Sequence, residues 1–212
     1  MIPHYEVETT IEVGSPPKRL SPETVVHGFE AIRDYEPLLD LSWAEVDECL
    51  RAEEAWLEYA ASADNEASFD EILSSAHGRG LPHEISEDPE EPDFDELFRY
   101  LDIGVAGLVY ALSAAGYATC SSCRGHPGIS RPPQVGFGTE PERLSHLIPY
   151  VERSGCGMEV SGGVAWIYSN SVTALHALAQ MLFDHRAHFE SMARPPWLDA
   201  ALALLERDDS DE

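Results

Sequence analysis

Polar, reactive and conformationally special residues concentrate in one stretch of the 212-residue chain, Thr119-Cys120-Ser121-Ser122-Cys123-Arg124-Gly125-His126-Pro127-Gly128. Three chemistries fit these residue types. The first is anion binding. Gly125 and Gly128 tolerate positive φ and can turn consecutive backbone N–H groups toward one point, a nest for an anion. Ser121 and Ser122 add hydroxyl donors, and Arg124, His126 and Arg131 make a dense basic cluster. A small anionic or nucleotide-like molecule is the matching ligand. The second chemistry is metal ligation: Cys120-x-x-Cys123-x-x-His126 offers sulfur and nitrogen donors, with Cys156 or His146 as a fourth. Zinc takes such donors in tetrahedral sites. The third makes Cys123 a nucleophile, with His126 its base and Arg124 a positive field beside it. Such a dyad needs a residue to orient the base, and the sequence names none.

The elements that must position this stretch follow from periodicity. The spacing predicts a long helix from Asp93, with Phe94, Leu97, Leu101, Val105, Leu108 and Leu112 on one face, ended by Gly116. A strand at 117–120 and a second at 134–137 then flank the reactive stretch, which reads as the loop between them. Thr139-Glu140-Pro141-Glu142 opens a helix closed by Gly155. Strands at 158–160 and 164–168 flank Gly162-Gly163, a hairpin signal. A last long helix runs from Asn170 or Ser171 to about Met192, with Val172, Leu175, Ala179, Leu182 and Phe189 inward. On that helix His188 points away from the apolar face, and Asp184, His185 and His188 read as a solvated flank, as does His176. Pro195-Pro196 breaks it before a short helix at 197–206.

The fold class is therefore α+β: a small antiparallel or mixed sheet with helices on one face, in the order helix-strand-strand-helix-strand-strand-helix. A mostly helical region precedes it. Ser21-Pro22 and the capping boxes at Ser42-Trp43-Ala44-Glu45 and Ser68-Phe69-Asp70-Glu71 open its helices, and the alternation from Tyr5 to Val13 reads as a strand. The domain divisions are residues 1–83, an acidic proline-bearing linker at 84–92, the α+β domain at 93–192, and a C-terminal helix with acidic tail at 193–212.

Composition limits function. With 39 acidic and 13 basic side chains the net charge is −26, and Lys18 is the sole lysine. That balance excludes an ordinary basic nucleic-acid binder and a protein drawn to an anionic membrane. It fits a saline cytoplasm, or a surface that covers a basic protein partner in the manner of an inhibitor or immunity protein. The uncharged run from Ile103 to Cys123 falls short of the ~20 apolar residues of a membrane span. Met1–Thr10 has neither a basic nor an apolar signal region, so the expected location is cytoplasmic. Four cysteines are too few for a disulfide scaffold. Trp43, Trp56, Trp166 and Trp197 read as core or interface aromatics.

The segment Ala111-Leu112-Ser113-Ala114-Ala115-Gly116-Tyr117-Ala118-Thr119-Cys120-Ser121-Ser122-Cys123-Arg124-Gly125-His126 resembles the wybutosine-synthesis tRNA methyltransferase family. There a helix leads into a Thr-x-Ser-Ser-Cys-Ser-Gly-Arg type motif, and a looser Ser-Cys-x-Gly-His form occurs in other microbial proteins. Ser121, Ser122, Cys123 and Gly125 match; His126 stands where the family has arginine, and Arg124 where it has a small residue. The resemblance covers about 20 residues. It implies S-adenosylmethionine as cofactor, and methyl transfer to a modified guanosine of phenylalanine tRNA as the activity.

Overall fold

The computed structural model describes residues 1–14, 19–29, 37–75, 97–126, 131–161 and 163–208. The expected linker at 84–92 and the turn residues Pro127, Gly128 and Gly162 lie outside them. Thirteen elements are described. Strand β1 (Ile11–Glu12) is followed by helices α1 (Pro22–His27), α2 (Trp43–Ala61), α3 (Glu66–Ser75) and α4 (Ala106–Ala114). Then come β2 (Ala118–Cys123), β3 (Gln134–Gly138), α5 (Pro141–Ser154), β4 (Gly157–Ser161) and β5 (Val164–Tyr168). Helices α6 (Val172–Asp184), α7 (Arg186–Glu190) and α8 (Leu198–Asp208) complete the chain. The class is α+β with a mixed sheet. From α4 to α6 the order is helix-strand-strand-helix-strand-strand-helix, as the periodicity predicts.

The sheet order is β1-β4-β5-β3-β2. Both hairpins, β2–β3 and β4–β5, are antiparallel, as is the β3–β5 pairing that joins them. Among the described strands, β1 alone runs parallel to its neighbour, with Ile11 beside Met158. Alternation along the strands sorts side chains onto two faces. Val135, Phe137, Met158, Ala165 and Ile167 join the larger core beneath α4, α5 and α6. Ala118, Cys120, Val164 and Trp166 face the other way, against α1 and α8. The sheet is thus covered on both faces, where the sequence reading expected one. The apolar stripes of α1 and α8 carried no cue that they shared a partner. Two glycines let this second layer approach. A Cβ on Gly136 would stand 2.8 Å from the Trp166 ring, and one on Gly138 would collide with Phe29.

One core crosses the predicted domain boundary. Val46, Cys49, Leu50, Trp56 and Leu57 of α2 bury in the same cluster as Leu108 and Leu112 of α4 and Leu175, Leu178 and Leu182 of α6. Helix α2 opens with the expected capping box: Ser42 Oγ accepts the Glu45 N–H at 3.2 Å, and Glu45 Oε2 accepts the Ser42 N–H at 2.7 Å.

The long helix predicted from Asp93 is interrupted. Asp93 lies outside the described residues, and Arg99, Tyr100 and Gly104 adopt positive φ of 47°, 62° and 98°. Helix α4 therefore begins only at Ala106. Val105 in the N-cap position has no capping side chain. The cap comes instead from α2, where Glu53, fully buried, accepts the Gly104 N–H at 2.8 Å and the Gly107 N–H at 3.2 Å. Its other oxygen meets His176 Nδ1 on α6 at 2.8 Å. Gly107 is small because the Glu53 carboxylate and Leu50 press on it; a Cβ there would be 2.5 Å and 2.7 Å from them. The last long helix is interrupted too. His185, with φ −105° and ψ 19°, ends α6 and starts α7.

Candidate functional site

Helix α4 is buried over almost its whole length and delivers the chain to β2 through Gly116, which takes φ 80°. The reactive stretch is mostly strand rather than loop. Ser121, Ser122 and Cys123 pair with Gly136, Val135 and Gln134, after a bulge between Thr119 and Ser121. The predicted strand at 117–120 is therefore longer, and the true turn starts at Arg124. Gly125 takes the expected positive φ of 72°.

The bulge leaves Cys120 and Cys123 on one face of β2, and it is the length of extended strand between them that keeps the cysteines apart. Cys120 is buried in the α1/α8 layer, and burial pushes its thiol up to about 12. Cys156 is buried on the helical side, close to Ala174 O, and burial raises its pKa as well. Neither joins Cys123 and His126, so the expected four-ligand set is not assembled. A different set is. The donor atoms of Asp102, Cys123 and His126 lie within 4.8 Å of one another, all half-buried. It is the group of three potential metal donors found among the described residues. Gly125 N–H donates to Cys123 Sγ at 3.4 Å, which fixes the sulfur at the mouth of the turn.

Arg124 does not face a ligand. Its side chain is 3% exposed and spans the gap between the end of β2 and α3. Nε and Nη2 donate to Asp70 Oδ1 at 3.1 and 2.8 Å, Nη2 also donates to Ser74 Oγ at 2.6 Å, and Nη1 donates to Asp102 Oδ1 at 3.1 Å. Its backbone N–H donates to Asp102 Oδ2 at 3.3 Å. The guanidinium thus fixes both carboxylates. Asp70 Oδ1 in turn lies 3.2 Å from His126 Nδ1. With Nδ1 donating to that carboxylate, Nε2 carries the lone pair that a ligand or base needs. Here is the orienting residue the sequence could not supply.

Asp70 reaches this place because α3 begins at Glu66, not at the predicted Ser68 capping box. Asn65 Oδ1 accepts the Ser68 N–H at 3.0 Å, which puts Asp70 inside the helix on the face toward β2. Tyr5 was missed as well. Its N–H donates to Asn170 O at 2.8 Å, and its hydroxyl lies over Gly125, where a Cβ would be 2.6 Å away. Burial raises the Tyr5 pKa, and the charges of Asp70 and Cys123 raise it further. Asp102 had a faint signal as the last charge before the uncharged run from Ile103. Ser121 and Ser122 are half-buried with side chains that make no hydrogen bond among the described residues. Arg131 is exposed and without an ion pair among them; its carbonyl would be 3.1 Å from a Cβ on Gly125.

A tetrahedral ion with bonds of about 2.0–2.3 Å needs donors about 3.3–3.8 Å apart. Side-chain rotations on the order of 1 Å close the Asp102–Cys123–His126 set to that size. Three protein donors leave a fourth position for water or a ligand. No family model matches the chain, and no curated protein or solved structure matches it. Fold and geometry together define an α+β protein with a half-buried Asp/Cys/His cluster on an edge strand. S-adenosylmethionine, tRNA and a basic protein partner rest on the sequence reading alone. Among the described residues, no helix is long and apolar enough to cross a membrane.

Proposed function

We propose that the protein binds a zinc-class divalent ion through Asp102, Cys123 and His126, and that a small anionic or nucleotide-like molecule takes the ion's open position. The observation that carries this reading is the convergence of the three donors, with His126 held at Nδ1 by Asp70. A carboxylate that fixes a histidine's tautomer is the usual outer partner of a metal-bound imidazole. The mixed oxygen, sulfur and nitrogen donors suit zinc or cobalt better than magnesium or calcium, which prefer oxygen alone. Anion recognition then falls to the ion, Arg131 and the Ser121 hydroxyl, which lies on the same face of β2 as Cys123. Arg124 serves to hold the two carboxylates in place.

Cobalt substitution tests the reading. The wild-type chain is expected to bind one equivalent at this site with a thiolate-to-cobalt charge-transfer band. That band should vanish in Cys123→Ser and persist in Cys120→Ser and Cys156→Ser. Inorganic phosphate or adenosine monophosphate should then perturb the cobalt ligand-field bands. A wild-type protein without the band, or a band that survives in Cys123→Ser, refutes the proposal.

A further inference from the structure

A pair of histidines lies away from this site, between α5 and α7. Glu142, His146 and Tyr150 are spaced at i, i+4 and i+8, which places them on one helical face. That face meets α7, where His188 Nε2 stands 3.2 Å from His146 Nδ1 and the two rings are 5.1 Å apart at their centroids. Tyr150 packs against His185, His188 and Phe189 and holds α7 in register. The pair borders a cavity of about 460 Å³ whose lining includes Glu140, Glu142, Arg143 and Arg194.

Two arginines and two glutamates line that cavity beside the histidines. Arg143 is buried and donates to the carbonyls of Ala115 and Ala193, which close the end of α4 and the segment after α7. Arg194 is held by Asp40 at 2.7 and 2.8 Å and by Asp199 at 2.7 Å. Arg143 keeps its charge, because carbonyls are neutral partners, and that charge acts on the carboxylates of Glu140 and Glu142. Glu140 Oε1 is enclosed and has no hydrogen-bond partner. What this edge of the cavity offers a cation is the pair of imidazole nitrogens, His146 Nδ1 and His188 Nε2, with the exposed Glu142 one turn away on α5.

We infer that His146 and His188, with Glu142 from the preceding turn of α5, form a second site for a zinc-class divalent ion. The spacing fits: two Zn–N bonds of about 2.05 Å at a tetrahedral angle put the nitrogens about 3.3 Å apart. The hydrogen shared between the rings would give way to the ion, and Glu142, which is exposed, would swing its carboxylate in as a third donor. Water from the cavity completes the shell. The bound ion would clamp α7 to α5.

The test uses the full chain in a Cys123→Ser background, which removes the first site, with zinc alone as the titrant. One equivalent is expected to bind, with a Kd below about 10 µM. Adding His146→Gln or His188→Gln should weaken that binding at least tenfold, and Glu142→Gln several-fold. His185→Gln, on the neighbouring turn, should leave it unchanged. Circular dichroism checks that each variant folds, and the imidazole nitrogen resonances of His146 and His188 should both shift on zinc addition. Absence of binding in Cys123→Ser, or equal binding in Cys123→Ser with His188→Gln, overturns the inference. The two sites fail separately. A cobalt-thiolate band with no second equivalent removes only this one; a histidine-dependent equivalent with no such band removes only the first.

Discussion

Replacing Arg124 by methionine tests the claim that its guanidinium organises the site. The substitution keeps apolar bulk and deletes the hydrogen bonds to Asp70, Asp102 and Ser74. Charge-assisted bonds contribute about 1.5–3 kcal/mol each, and removing one partner of a buried pair costs about 3–5 kcal/mol in total. The abandoned carboxylates are 25% and 27% exposed, so water recovers part of that loss. The expected destabilisation is about 3 kcal/mol, which lowers Tm by about 6–12 °C for a chain of this size. Arg124→Lys keeps the charge but offers a point in place of a fork, and should lose about half as much. Thermal melts followed by circular dichroism at low and high salt measure both. Because the guanidinium is enclosed, the difference from wild type should barely change with salt. A Tm within about 2 °C of wild type for the methionine variant, or a lysine variant equal to wild type, would refute the reasoning.

Two further expectations concern the frame around the site. Gly138→Ala places a methyl group against Phe29 and should cost about 1–3 kcal/mol in urea denaturation; a loss under about 0.5 kcal/mol would show that α1 yields freely. For His176, burial lowers the pKa, but the hydrogen bond and charge of Glu53 outweigh it and the net shift is upward. Its stabilisation is therefore complete below the unfolded value of about 6.5 and fades as pH rises through the higher folded value. The stability gap between wild type and His176→Gln should narrow from about pH 6 toward pH 9, and a gap that widens instead contradicts the assignment.

Features with a local cause were legible in the sequence. The capping box at Ser42, Ser21-Pro22 at the start of α1, and Gly155 as the left-handed end of α5 all act within one turn, and the structure has each of them. The strand at 164–168 and the hairpin before it were equally local. What the sequence hid depends on partners far along the chain. The break before α4 is stabilised by Glu53, which looks like any solvated glutamate on α2. Asp70 read as part of a capping box until Asn65 took the capping role. Cys120 and Cys123 suggested a shared ion by spacing alone, but the length of extended backbone between them keeps them apart. Asp102 and Asp70 entered the site through Arg124, whose charge in the sequence pointed to an external anion.

The Glu53 contact also bears on the stability of α4 itself. Helix α4 is nine residues long, carries no charge and has no cap of its own, so alone it is too short to persist in water. Its first turn is completed by a carboxylate 51 residues upstream. The capped first turn of α4 therefore exists only once that separation is closed, so the stability of this short helix carries the entropy cost of a long loop rather than of local helix formation alone.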